Sequence, residues 1–97
     1  MILNLPTKID FGQMSFGNSY SRSYIINNTT NNTLEIKNLG RSCTCTEVSA
    51  SKTIIKPKEQ GIINVTVTPG STGLFNRSFW FNLNNQHYTI TLTGHAS

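Results

Sequence analysis

Apolar residues recur at every second position over several short stretches of the chain, the period of a strand with one buried face. The clearest runs from Ile62 to Thr68, where Ile63, Val65 and Val67 share one face and Ile62, Asn64, Thr66 and Thr68 the other. Phe79, Phe81 and Leu83 alternate with Ser78, Trp80 and Asn82 in the same way, and Tyr88, Ile90 and Leu92 alternate with Thr89, Thr91 and Thr93. Between these last two runs Asn84-Asn85 supplies a hairpin turn, because Asn tolerates positive φ better than most residues.

Weaker segments fill in the rest. Ile2 to Leu5 and Ile9 to Phe11 read as an edge strand interrupted by Pro6, and Ser19 to Asn27 alternates imperfectly, with Tyr20, Arg22, Tyr24 and Ile26 in one phase. The Asn/Thr tract from Asn27 to Thr33 is a turn. Leu34, Ile36 and Asn38 then share a face against Glu35, Lys37 and Leu39, until Gly40 ends the strand. Thr46 to Ser51 reads as a polar connection and Ile54-Ile55 as a brief apolar step before Pro57. Lys58 to Gly61 is a turn and Pro69 to Gly73 a loop. No segment keeps helical periodicity for the length a helix needs. About seven short strands, with turn signals every ten or so residues, predict a single antiparallel β-sandwich.

At 97 residues the chain has room for one domain, 1–97, able to bury a core without staples. Only 12% of residues are charged, and the net charge of +4 is spread over separated Lys and Arg residues with no basic run. Nucleic-acid binding, which needs clustered cations on one surface, is therefore not expected. The N-terminus lacks a basic segment followed by a long apolar run, and no stretch reaches membrane-spanning length. The expected location is a virion or the cell interior, with the periplasm or cell surface as the alternative if a signal was trimmed. Five Asn-x-Ser/Thr sequons, starting at Asn27, Asn28, Asn31, Asn64 and Asn76, are read as by-products of an Asn- and Thr-rich composition.

Both cysteines fall in Ser42-Cys43-Thr44-Cys45-Thr46. In an extended segment they point to one face, with Cα atoms about 6.5–7 Å apart, at or beyond the reach of a disulfide. The spacing therefore favours buried reduced thiols acting as small hydrophobes. Zinc held with His87 and His95, Cu(I) on the thiolates, or a redox pair are the alternatives. Asp10, Glu35, Glu47 and Glu59 are the only acids, well separated, and neither His has an evident orienting partner. No phosphate loop or nucleophile elbow is present. The expectation is a protein that is not an enzyme, with no cofactor, no catalytic residue and no small-molecule substrate.

Several motifs in order resemble one family. They are Ile9-Asp10-Phe11-Gly12, the Asn-rich turn before Leu34-Glu35-Ile36, Ser42-Cys43-Thr44-Cys45-Thr46, and Ile55 to Gly61 leading into Ile63-Asn64-Val65. Gly73-Leu74-Phe75 and Tyr88 to Gly94 complete the set. The chain resembles the immunoglobulin-like modules related to major sperm protein and to the repeats of Hydin (the ASH group). Within these it is most similar to the bacterial domain of unknown function that carries a Ser-Cys-Gly-Cys-Thr signature. Thr44 stands in place of the signature glycine, which favours a plain strand there over a tight loop, and Lys58 interrupts a turn that usually reads Pro-Gly-Glu. The resemblance implies an immunoglobulin-like sandwich used for attachment within a larger assembly. A small, stand-alone, unsignalled and Thr/Asn-rich sandwich suits decoration of a protein lattice, so the sharpest expectation is a decoration protein of a phage or virus capsid; the alternative is an exported periplasmic or cell-surface adhesion module, with copper at Cys43 and Cys45 as one version.

Trp80 is the residue on which a docking surface is expected. It is out of phase with Phe79 and Phe81, so it points away from the core together with Ser78 and Asn82, and across the hairpin the same face should show Thr89, Thr91 and Thr93. A Trp on a flat, hydroxyl-rich face is the residue type that most often anchors an interface. The alternative is that it only covers neighbouring side chains or is capped by the N-terminal segment.

Overall fold

Alternating side chains become alternating strand faces in the computed structural model, which describes residues 5–97. In chain order the strands are β1 (Lys8–Met14), β2 (Tyr20–Asn27), β3 (Leu34–Arg41), β4 (Thr46–Ala50), β5 (Ile54–Ile55), β6 (Gln60–Val67), β7 (Gly73–Leu83) and β8 (Gln86–Ala96). A wide sheet of order β1-β8-β7-β3-β5 packs on a narrow sheet of order β2-β6-β4. The core is built from the phases read above: Ile63, Val65 and Val67 of β6 face Phe79, Phe81, Ile90 and Leu92 of β7 and β8, all fully buried. Tyr24 of β2 meets Phe79 and Phe81 edge-on, with ring centroids 5.6 and 5.9 Å apart. Its hydroxyl donates to the Pro6 carbonyl at 2.6 Å, which satisfies the polar atom the ring brings inward.

Several features depart from the reading of the sequence. Thr46 to Ala50 is a strand, paired with β6 from Thr46↔Val67 to Ala50↔Ile63. It is an edge strand whose inward residues, Thr46, Val48 and Ala50, are small, so its alternation is faint. β1 pairs with β8 in parallel, so the fold is mostly rather than wholly antiparallel. The interruption in β1 comes from a bulge between Asp10 and Gln13, where Gly12 takes φ 67° and its N–H is held by Asp10 Oδ1 at 2.9 Å. Most of the proposed Ile2 to Leu5 segment lies outside the described residues.

A second bulge reorganises β3. Asn38 takes φ 55° and the register with β7 shifts between Lys37 and Gly40. Asn38 is therefore exposed, Leu39 packs against the core, and Gly40 does not end the strand but pairs with Trp80. Beyond it, Ser42 to Cys45 is a turn and not an extended strand. Thr44 keeps an ordinary negative φ, as a non-glycine should, whereas Lys58 takes φ 68° in the turn where the related motif has glycine.

The Asn/Thr tract is more than a solvated turn. Asn28 is 2% exposed; its Nδ2 donates to the carbonyls of Ile55 at 3.0 Å and Asn32 at 2.7 Å, while Oδ1 accepts from Thr30 N and Oγ1. One amide thus ties the tract to β5 and closes that end of the sandwich.

Candidate interaction surface

The β7–β8 hairpin puts its outward residues in cross-strand pairs. Trp80 lies opposite Thr89, Ser78 opposite Thr91, Asn82 opposite His87 and Asn76 opposite Thr93. Trp80, Ser78, Asn82, Thr89, Thr91 and Thr93 therefore share the outer face of the wide sheet, as parity requires. The turn that sets this register uses Asn84 at φ 52°. Asn84 Oδ1 accepts from Glu35 N at 3.0 Å and Nδ2 donates to the Thr33 carbonyl at 3.3 Å, so the hairpin is fastened to β3.

Trp80 is half-buried because of Gly40. A Cβ at Gly40 would overlap the indole at Nε1 and lie 2.7 Å from Cε2. The ring occupies the space that any other residue would fill. The bulge at Asn38 makes this possible, since an unbroken strand would have turned Leu39 to this face. Sequence reasoning found Trp80 and missed its seat, which only the register shift reveals.

His87 also belongs to this face. Its Nδ1 lies 2.7 Å from Asn82 Oδ1 and its Nε2 3.2 Å from Thr89 Oγ1. With Asn82 as acceptor, Nδ1–H donates and Nε2 accepts the Thr89 hydroxyl proton, an assignment made from the network. Charges stand at the margins: Lys37, opposite Asn82, pairs with Glu35 at 3.4 Å, and Lys8 and Asp10 of β1 lie beside Thr91 and Thr93. The centre of this face is uncharged.

The cysteine turn flanks this surface. Ser42 N donates to the Ser78 carbonyl and Ser78 N to Ser42 Oγ, both at 3.0 Å. Cys43 and Cys45 are joined by a disulfide with Cα atoms 5.2 Å apart, and both are only partly buried. The expectation of buried reduced thiols is thereby corrected: the turn brings the Cα atoms closer than a strand would, within bridging range. The sulfurs are not thiolates in this state, and the metal-site alternative loses its strongest ligands. Among the described residues no group of three His, Cys, Asp or Glu side chains is placed to hold a metal ion.

The acids are dispersed. Glu35 is paired with Lys37, Glu47 is exposed on β4, and Glu59 accepts from Lys52 Nζ at 3.1 Å and Lys56 N at 3.2 Å. The Lys52 ammonium, then the Lys56 N–H, hold the Glu59 carboxyl below its ordinary range. Burial raises the Tyr24 hydroxyl, while the Ser15 N–H donating at 2.7 Å lowers that of Tyr20. None of these groups converges with another on a cleft. A concavity of about 250 Å³ between the Asn/Thr tract and the 84–85 turn is lined by uncharged residues, and a wider, shallow depression of about 430 Å³ beside the β1 bulge is lined by Asp10, Gly12, Gln13, Thr93, Gly94 and His95 and lies open to solvent. Among the described residues no helix is long and apolar enough to cross a membrane.

Comparison with known proteins supports the architecture. A family model described as protein of unknown function (DUF1573) matches residues 4–96. A protein of unknown function from Porphyromonas gingivalis W83 superposes with TM-score 0.83 at 17% identity over 95% of this chain, which spans 45% of that protein's length. PapD-like domain 7 of human CEP192, an ASH domain, superposes with TM-score 0.75 at 10% identity, covering 95% of this chain and 82% of that one. SSP-19, an MSP-domain-like protein of Caenorhabditis elegans, gives TM-score 0.64 at 12% identity, covering 88% and 94%. No curated protein matches the sequence significantly. The fold is the immunoglobulin-like sandwich of ASH and MSP modules.

Proposed function

The chain belongs to DUF1573, a family of proteins of unknown function, and we propose that this member is a non-enzymatic binding module that docks onto a larger protein assembly through the outer face of its wide sheet. The observation that supports this is Trp80 seated on Gly40 at the centre of an uncharged surface of Ser78, Asn82, Thr89, Thr91 and Thr93. A large aromatic held by backbone and ringed by short hydroxyls loses little entropy on docking and desolvates few charges. In its sharpest form the assembly is a phage or virus capsid, which the protein decorates. A lattice repeats one epitope many times, and a small sandwich with a flat docking face suits such a site. That reading places the protein on the virion.

The test is co-sedimentation with purified particles, wild type against Trp80→Ala, with stability measured on the same samples. The expected result is a loss of about 2 kcal/mol in binding, roughly thirtyfold, with a folded variant. Unchanged binding removes Trp80 from the interface, and loss of folding returns it to the core. A second reading, an exported cell-surface module, is favoured by the Cys43–Cys45 disulfide, because such bonds persist in oxidising compartments. Acid-quenched thiol labelling of protein taken from its native source separates the two. Free thiols support the intracellular, particle-bound reading, and blocked thiols in a periplasmic or surface fraction support export.

A further inference from the structure

Strands at the edges of sheets leave main-chain N–H and C=O groups unpaired, and proteins usually guard them. Three of the four edges here are guarded. β1 bends at its bulge, with Gly12 N–H held by Asp10. β5 has only two residues and is followed closely by Pro57. On β2, Arg22 lies in the inward phase; its guanidinium donates to the Ser21 carbonyl at 3.0 Å and stands 5.0 Å from the Phe11 ring centroid. A cation thus occupies the open side of β2 and blocks an approaching strand.

The free edge of β4 has no such device. Two bonds set the phase of its ladder with β6: Thr68 N to the Cys45 carbonyl and Ser51 N to the Ile62 carbonyl, both 2.9 Å. Residues 45, 47, 49 and 51 therefore bond to β6, and Thr46, Val48 and Ala50 turn their main-chain groups outward. Thr46 N is taken by the Cys43 carbonyl at 3.1 Å. The N–H and C=O of Val48 and Ala50 have no partner among the described residues. The strand has no Pro, Lys or Arg and no bulge, and its register is continuous from Thr46 to Ala50. Val48 and Ala50, with Leu39 and Cys45 nearby in the core margin, are only partly buried.

We infer that β4 is an acceptor edge, to which an extended segment of a partner protein adds as the fourth strand of the narrow sheet. A row of outward main-chain donors and acceptors matches another strand and no other ligand shape. The incoming strand carries apolar residues over Val48 and Ala50 and a basic residue beside Glu47, the only charge on β4. A second copy of this chain fits less well, since each copy carries a net charge of +4. This edge is separate from the Trp80 face, so either surface can fail alone.

The probe is an end-blocked peptide of alternating Val and Thr with one Lys at an outward position, titrated into the labelled full chain and followed by amide NMR. Binding should perturb the Val48 and Ala50 amides and protect them from hydrogen exchange. Ala50→Pro removes an outward N–H while keeping every bond to β6, so it should weaken binding about tenfold or more with an unchanged melting temperature. Ala50→Lys, which gives β4 the kind of guard Arg22 gives β2, should do the same and decides the matter if the proline variant misfolds. Ser23→Pro, the equivalent change on β2, should bind as wild type. The inference is overturned by equal binding to both Ala50 variants, by perturbation at β2 instead, or by no perturbation up to the peptide's solubility limit. A concentration-dependent dimer through β4 also overturns it, by giving the edge to a second copy.

Discussion

The outer faces of the two sheets look alike in composition and differ in what their hydroxyls are doing. On the narrow sheet they bond to one another across strands: Ser19 to Thr68 at 2.7 Å, Ser21 to Thr66 at 2.9 Å, and Ser23 to Asn64 at 3.5 Å. On the wide sheet Ser78, Thr91 and Thr93 have no side-chain partner among the described residues, and Trp80 stands beside them on Gly40. The narrow face has spent its hydrogen-bonding capacity on its own strands, and its outward apolar side chains are Ile25, 45% exposed, and Ile62 opposite it. On the wide face His87 engages Asn82 and Thr89, and the hydroxyls of Ser78, Thr91 and Thr93 are left free beside the aromatic. The docking proposed for the wide face draws on these free hydroxyls, which the narrow face does not offer.

The largest expected effect removes the comparison altogether. Val65 is fully buried in β6, between Arg22 and Val48, and serves as core for both sheets. Val65→Asp buries a carboxylate there, and the neighbouring cation, Arg22, is already engaged by the Ser21 carbonyl and the Phe11 ring, so the cost is about 3–5 kcal/mol, a large part of the stability of a domain this size. Insoluble or non-cooperative protein is expected by circular dichroism and thermal melting. A soluble variant with a wild-type melt would show that β6 does not hold the two sheets together.

Gly40→Val acts on one face only. The new side chain must displace the Trp80 indole, at a cost of about 1–3 kcal/mol, while the inner face is untouched. The expected outcome is a folded protein with altered Trp80 fluorescence and weakened attachment to its assembly. Unaltered emission would mean that the indole does not depend on its glycine seat. The same substitution leaves the Ser and Thr ladder of the narrow sheet as a built-in control.

Reduction of Cys43–Cys45 tests the link between the sheets, since this turn leads from β3 of the wide sheet to β4 of the narrow one. The bond closes a loop of only three residues, so chain entropy assigns it about 1.5 kcal/mol at most. Denaturant melts with and without reductant should differ by no more than that, with both sheets still folded. A global loss of structure on reduction would make the bridge a structural staple.

How much of this was legible depended on whether the signal was local. The inward phases of β6, β7 and β8 could be read because each strand is buried on one face along its length, and Trp80 followed by parity. β4 escaped because Thr46, Val48 and Ala50 bury little and alternate with Glu47 and Ser49, a pattern hardly distinct from a polar loop. Gly40 as the seat of Trp80 was out of reach, since one residue in the left-handed region, Asn38, reverses the parity of all that follows in β3. The cysteine bridge was misjudged for a related reason: strand geometry was applied to a turn. The buried amide of Asn28 and the parallel β1–β8 pairing are long-range facts that no window of sequence contains.

The smallest expected effect lies in the turn that feeds β6. Glu59 accepts from Lys52 Nζ and from Lys56 N, and both hold its carboxyl below the ordinary value of 4.5. A carboxyl with a lowered folded value stabilises the protein fully above its unfolded value. That contribution declines as pH falls below about 4.5 and is gone once pH passes beneath the lowered folded value. Glu59→Gln should therefore melt slightly below wild type at neutral pH, and the gap should close on acidification through that window. Lys52→Met separates the two contacts: it should remove the salt-sensitive part and leave the bond from Lys56 N. Because the turn joins β5 to β6 and β3 stands between β5 and β7 in the wide sheet, none of these changes should move attachment through Trp80. If acidification weakened docking in parallel with the melt, the wide face would not be acting independently of the sheet behind it.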